Sequence, residues 1–133
     1  MASDRLPQPD RRSTPEDLIK YVDGAELFSV IVHQLNPTDV ILHVAGEIDL
    51  LAEPVLQAHV STLLASRPER LIIDLSQVSF MGATGLPLLI KTRGTAGQQG
   101  TALKLRSPSR SAARPLQITG LDRLFDMLPP ATE

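Results

Sequence analysis

The chain has 133 residues, of which 42% are hydrophobic, and this size and composition suit one folded domain with a single core. A formal net charge of -2, with one Tyr, three Phe and no Trp, provides neither a basic field nor many stacking rings for nucleic acid. Because cysteine is absent, disulfides, thiolate catalysis and Cys-based metal sites are excluded. No apolar run reaches the length of a signal peptide core or a membrane span, so we expect a cytoplasmic protein with no membrane partner.

The amino-terminal segment, residues 1–26, is predicted to be mostly a disordered tail with at most one short helix. Its first dozen residues combine charge with proline and offer little apolar surface to bury. Thr14-Pro15-Glu16-Asp17 then has the pattern of a helix start, and Gly24 that of a helix end. Whether this segment docks on the sheet, covers a binding face or stays free is left open. The folded domain is expected over residues 27–130.

Strands and a first helix are indicated by the next part of the chain. Two apolar, β-branched runs, 27–35 and 40–49, flank turn residues at 36–39 and predict a hairpin. Apolar residues at helical spacing predict an amphipathic helix over 51–66, which Pro68 stops. The continuous apolar run 71–75 is typical of a buried parallel strand, and 102–106 predicts another strand.

Two more helices complete the predicted α/β order. Leu86, Leu89 and Ile90 indicate a helix with Thr84 as its N-cap, and Gly94 and Gly97 are predicted to mark its exit. A last helical region is expected to open at 107–109 and to continue to Leu128, where Pro115 either kinks the helix or stands near its start. The order predicts a single domain with a mixed four-stranded sheet and about three helices packed against it.

Four short motifs in chain order carry a family resemblance. They are Gly46-Glu-Ile-Asp49, Ile73-Asp-Leu-Ser76, Phe80-Met81 with Thr84-Gly85-Leu86, and Thr119-Gly-Leu-Asp122. With the order of elements, they resemble the STAS family and, within it, the bacterial anti-sigma factor antagonists. The resemblance implies a STAS-like fold and a non-catalytic protein, monomeric or weakly dimeric and without cofactor. Such a protein binds an anti-sigma factor with a histidine-kinase-like ATPase fold and thereby frees a sigma factor.

The resemblance also implies where the partner binds. The implied partner-binding residues are Gly46, Glu47, Asp49, Phe80, Met81, Gly82, Ala83, Thr84, Gly85 and Leu86. A purely structural role for Asp49, capping the helix that follows it, is compatible with partner contact.

Regulation by phosphorylation is where the sequence departs from the family pattern. The loop after the third strand usually reads Phe-Met-Asp-Ser-Ser/Thr-Gly, and the partner phosphorylates its first hydroxyl residue. Here Gly82 replaces the usual aspartate and Ala83 replaces the usual phosphoserine, so we predict that the usual control is lost. Thr84 is the nearest hydroxyl and a candidate phosphoacceptor, although we favour helix capping as its role.

The same residues leave other functions to consider. The same fold also serves as a STAS subunit of lipid-transport ATPases or of sensory, stressosome-like assemblies. An enzyme acting on a nucleotide or an acid would need a base or second carboxylate beside Asp74, which the sequence does not fix. His33, His43 and His59 do not define a zinc site, although the hairpin register could bring His33 near His43. Arg106, Arg110 and Arg114 are expected to be solvated, with an acidic partner as the alternative.

Overall fold

The computed structural model describes residues 28–82 and 85–128, which form a five-stranded sheet with three α-helices. The strands are β1 (Phe28–Gln34), β2 (Asp39–Ile48), β3 (Arg70–Met81), β4 (Ala102–Arg106) and β5 (Asp126–Leu128), and the helices are α1 (Ala52–Ala65), α2 (Gly85–Gln99) and α3 (Arg110–Thr119). The sheet order is β1-β2-β3-β4-β5, with β1 antiparallel to β2 and the other neighbours parallel. This mixed α/β sheet confirms the predicted fold class. The predictions for residues 1–26, Ala83 and Thr84 lie outside the described residues.

The turn of the β1–β2 hairpin is organised by Asn36. Its side-chain oxygen accepts hydrogen bonds from the backbone N–H groups of Thr38 and Asp39, each at 2.9 Å. Such an Asx turn reverses the chain locally, and it fixes the register in which Phe28 pairs with Gly46. Phe28 therefore begins β1 at the end of the sheet where β2 finishes.

One hydrophobic cluster joins the sheet to all three helices. Leu42, Leu71 and Ile73 supply its strand side, and Leu56, Leu88 and Leu116 reach it from α1, α2 and α3. In α1 the buried residues are Ala52, Leu56, Val60 and Leu64, which is the predicted helical spacing. The amphipathic helix is thus confirmed.

Two elements extend further than predicted. β3 continues beyond residue 75 to Met81, because β2 also runs on and pairs with it as far as Ile48. Gly94 and Gly97 lie inside α2, which ends at Gln99 before Gly100 at φ +84°. The prediction that Gly94 and Gly97 mark the exit is therefore wrong, since tertiary packing through Ala96 outweighs their low helix propensity.

The last helical region was predicted too long. Helix α3 begins after Ser109, contains Pro115 and ends at Thr119, where the left-handed backbone of Gly120 (φ 78°) caps it. A 3₁₀ turn over Leu121–Arg123 then leads to β5, which pairs with β4 through Lys104 and Asp126. The sheet consequently has a fifth strand where the sequence pattern suggested more helix.

In the two ranges that the structure describes, no helix is both long and apolar enough to cross a membrane.

Candidate functional site

The two segments implied as partner-binding meet at one end of the sheet. Glu47 pairs with Phe80 and Ile48 with Met81 at the ends of the parallel strands β2 and β3. Just beyond them, the Gly82 N–H donates to the Ile48 carbonyl at 2.7 Å. We call the region around this junction the candidate surface, formed by 46–51, 80–82, Gly85 and Leu86.

Gly46 lies where β2 becomes irregular. Its φ of 94° is a left-handed value that glycine adopts without strain. The register between β2 and β3 shifts between His43 and Ala45 and again between Gly46 and Glu47. Such irregularities re-aim the side chains that follow, and Glu47 is left half-buried at the candidate surface.

Asp49 caps the start of α1. Its Oδ1 accepts hydrogen bonds from the backbone N–H groups of Leu51 at 3.1 Å and Ala52 at 3.2 Å. Its carbonyl accepts from the Glu53 N–H at 3.1 Å. The carboxylate thus satisfies two backbone donors that would otherwise lack a partner, so Asp49 has the predicted capping role.

Gly82 and Gly85 stand where side chains approach the backbone closely. A Cβ at Gly85 would lie 2.7 Å from Met81 Cγ, well inside van der Waals contact, and one at Gly82 would lie 3.2 Å from Phe80 Cε2. The same Cβ at Gly82 would also lie 3.3 Å from the Ile48 carbonyl oxygen. Glycine at both positions therefore lets Phe80 and Met81 pack against the backbone of this junction.

Large apolar side chains are exposed around the junction. Leu50, Leu51 and Phe80 keep 73%, 67% and 51% of their surface accessible, although leucine and phenylalanine are usually buried in the core of a protein. Sequence reasoning missed Leu50 and Leu51. The signal was available, since both follow the Asp49 cap directly and precede Ala52, where the buried stripe of α1 begins.

An open groove continues the candidate surface towards α3. Phe80 and Met81 form one side of it, and Arg114, Pro115 and Ile118 lie on the other. Ile118 is 77% exposed, so the groove presents apolar surface with a cation beside it. This combination is typical of surfaces that bind a protein segment.

Asp74 lies away from the candidate surface and is fully engaged in the fold. Its Oδ2 accepts from Arg106 Nε at 2.8 Å, and its Oδ1 accepts from the Ser76 N–H and hydroxyl at 2.9 and 2.6 Å. Burial alone would raise the pKa of Asp74, but the hydrogen bonds from Ser76 and Arg106 outweigh it and lower that pKa. A carboxylate held ionised in this way suits structure better than proton transfer.

The histidines do not assemble a metal centre. His33 and His43 are brought together as the hairpin register allowed, with ring centroids 6.4 Å apart and planes at 23°. Across residues 28–82 and 85–128, no group of three or more His, Cys, Asp or Glu side chains is placed to hold an ion. Burial lowers the pKa of His59, as it does for His43, where Arg106 and His33 add to the effect and Asp74 opposes it.

Comparison with known proteins identifies the class to which this architecture belongs. The family model for the STAS domain matches residues 30–131, so the chain belongs to the STAS domain family. Among curated relatives, an anti-sigma-B factor antagonist of Bacillus subtilis is 37% identical over 92 residues, 69% of this chain and 84% of that protein. The anti-sigma-F factor antagonist RsfB of Mycobacterium tuberculosis is 36% identical over 87 residues, 64% of this chain and 69% of RsfB.

A solved structure supports the same assignment. An anti-sigma factor antagonist from Mycobacterium paratuberculosis superposes with a TM-score of 0.68 at 30% identity, covering 75% of this chain and 84% of that one. The unphosphorylated antagonist SpoIIAA has a TM-score of 0.67 at 23% identity, with 78% and 89% of the two chains covered, and at that identity it supports the fold alone.

Proposed function

We propose that this protein is an anti-sigma factor antagonist that binds an anti-sigma factor through the candidate surface and has no catalytic chemistry of its own. The observation that carries the proposal is the exposure of Leu50, Leu51 and Phe80 around the β2–β3 junction. Exposed apolar side chains grouped in this way mark interaction sites on soluble proteins. The named relatives supply the kind of partner, and a cytoplasmic location follows because sigma factors act there.

The partner that we propose has the histidine-kinase-like ATPase fold implied by the family resemblance. In that family a phosphate on the loop after β3 would add about -1.5 to -2 charges and disrupt docking. Ala83 has no hydroxyl to receive it, and Gly82 lets the Phe80 ring lie against the backbone where the family carries aspartate. We therefore propose a constitutive antagonist, with Thr84 serving as a helix cap.

Native mass spectrometry tests this proposal. The purified protein would be mixed with each kinase-like anti-sigma factor of its organism, with and without ATP. We expect one complex that survives ATP without any mass increase of a phosphate on this chain. An Ala83→Ser variant is expected to gain that mass and to dissociate. Failure of every candidate to bind would exclude the proposal, and co-purification with a transporter ATPase or a large sensory assembly would replace it.

Surface variants locate the contact. Leu50→Ser and Phe80→Ser are each expected to weaken the complex at least about tenfold, the usual effect of removing a central apolar anchor. Leu35→Ser is the matched control, because Leu35 is also exposed (43%) but lies in the β1–β2 turn at the opposite end of the sheet. Equal effects of Leu35→Ser and Phe80→Ser would show that the partner binds elsewhere.

A further inference from the structure

We propose that residues 14–27, which precede β1, cover the face of the sheet opposite the three helices. This second face is defined by two rows of residues that cross neighbouring strands. The rows are Ile31, His43, Asp74 and Arg106, and His33, Ile41, Ile72 and Lys104. The inference is independent of the candidate surface and of the proposed function.

The three helices lie on one side of the sheet. Each of them connects two neighbouring parallel strands, and each connection advances one position in the same direction, from β2 to β5. Because such crossovers are right-handed, they place their helices on the same face. Leu56, Leu88 and Leu116 share one hydrophobic cluster, whereas Ile41 and Ile72 lie outside it.

The centre of the second face is nevertheless buried. Ile41 keeps 2% of its surface exposed, Ile72 4% and Asp74 6%, although no helix within 28–82 and 85–128 crosses over them. Parallel strands are found almost only in sheets that are covered on both faces, and β2 to β5 are parallel. A further layer over Ile41 and Ile72 is therefore required.

The segment before β1 has the length and the position to supply this layer. It joins the sheet at Phe28, on an edge strand, so it can turn back over the second face at Gly24. A helix of about ten residues is about 15 Å long, and four strands about 4.8 Å apart span a similar distance.

The composition of the segment also matches the second face. Leu18, Ile19, Tyr21 and Val22 fall at spacings of one, three and four, which gather them on one side of a helix. These side chains would pack on Ile31, Ile41 and Ile72.

A nitroxide label tests the placement in the full chain, which suits amide NMR at 14.4 kDa. Because the sequence has no cysteine, Lys20→Cys gives one labelling site on the polar side of the segment. We expect strong paramagnetic broadening of the amides of Ile41, Ile72 and Lys104. Thr92 and Ala96, which lie on α2 behind the sheet, should be spared.

Three outcomes would overturn the proposal. Uniform weak broadening would mean that the segment is free, and broadening centred on Phe80 and Ile118 would mean that it covers the candidate surface instead. Broadening in nitrogen-15 chains without a nitroxide, after mixing with nitroxide-labelled chains at natural isotope abundance, would mean that a second copy supplies the cover.

A pair of variants shows whether the broadening comes from packing of the segment on the second face or only from its closeness to β1 along the chain. In the labelled protein, Leu18→Asp is expected to remove the broadening at Ile41 and Ile72, because a carboxylate cannot be buried against them. Gln8→Asp introduces the same group outside residues 14–27 and should leave the broadening unchanged. If the Leu18→Asp protein kept the full broadening at Ile41 and Ile72, docking through the apolar side of the segment would be contradicted.

Discussion

At the residue scale, the lack of a side chain at Gly85 lets Met81 pack against the backbone of the candidate surface. Gly85 is buried at the start of α2, and a Cβ there would meet Met81 Cγ at 2.7 Å. Met81 is itself 7% exposed, so it has little room to move away. The strand–helix junction therefore depends on glycine for packing, at a position without a left-handed backbone.

Gly85→Ala is expected to destabilise the protein by about 1–3 kcal/mol, the usual cost of overpacking a core. Gly97→Ala is the matched control, because Gly97 lies in the same helix with nothing within 4 Å of its added Cβ. That control should stabilise the protein by about 0.5–1 kcal/mol through better helix propensity. Urea unfolding of both variants measures the difference, and equal stability would show that Met81 relaxes freely.

The Asp74–Arg106 pair predicts a pH dependence of stability. The folded-state pKa of Asp74 is lowered from its ordinary value of 3.8, so the ionised carboxylate stabilises the fold. This contribution is complete above the unfolded-state pKa and is lost as the pH falls through the lower, folded-state pKa.

Asp74→Asn should therefore destabilise the protein by about 3 kcal/mol at pH 7, because it leaves Arg106 unpaired in a mostly buried site. The deficit relative to wild type should shrink as the pH falls below 3.8 and through the lower folded-state pKa of Asp74. Asp126→Asn is the control, since Lys104 also lowers the pKa of Asp126 but that side chain is 72% exposed and should contribute little. Urea unfolding at several pH values would contradict the assignment if the Asp74→Asn deficit stayed constant.

Helix α3 is fixed at its start by one hydroxyl group. Ser109 Oγ accepts from the Ala112 N–H at 3.2 Å and donates to the Val78 carbonyl at 2.6 Å, so it caps the helix and joins it to β3. The Ser109 N–H adds a bond to the Leu75 carbonyl at 3.1 Å. The element that borders the groove is thus tied to the strand that carries Phe80.

Ser109→Ala is expected to lower the free energy of unfolding by about 1–2 kcal/mol, because it removes the cap and leaves the Val78 carbonyl without this donor. Ser111→Ala, two residues on, replaces an exposed serine and should change stability by less than about 0.5 kcal/mol. Equal midpoints of chemical unfolding for the two variants would show that the Ser109 hydrogen bonds are not maintained in solution.

The elements that were predicted well are those with a local signal. Apolar, β-branched runs beside turn residues located β1 and β2, helical spacing located α1, and a short apolar run located β4, each to within a residue or two. The end of β3 had no such signal. Residues 76, 77, 79 and 80 are exposed, and only pairing with β2 extends the strand to Met81. β5 likewise exists through its pairing with β4.

The candidate surface was predicted in part for a similar reason. The sequence motifs indicated the two segments that form this surface, and the parallel pairing of Ile48 with Met81 brings these segments together. Composition places leucine in the core by default, so the exposure of Leu50 and Leu51 could be inferred only from their position between the Asp49 cap and Ala52. The groove towards Ile118 depends on where α3 docks, which is a tertiary property. Contact with a partner at these residues remains a prediction.

At the scale of the whole molecule, one cluster couples the sheet to each of the three helices in the described part of the chain. Val60 on α1, Leu89 on α2 and Leu116 on α3 belong to it together with the central strand residues Leu71 and Ile73. A domain with a single shared core is expected to unfold in one cooperative step. Helix α3 should then be lost with the sheet rather than before it, although it has only ten residues and contains Pro115.

Leu116→Ala tests this coupling, since Leu116 is 1% exposed and its truncation should cost about 2–5 kcal/mol. The loss should shift a single unfolding transition to a lower urea concentration, with an unchanged dependence of the unfolding free energy on urea concentration. Far-ultraviolet circular dichroism and methyl NMR, measured in parallel, should report the same transition. Ile118→Ala, in the same helix but 77% exposed, should move the midpoint little. A second, earlier transition in the Leu116→Ala protein would show that α3 unfolds on its own, and the groove beside Phe80 would then form only while that helix is docked.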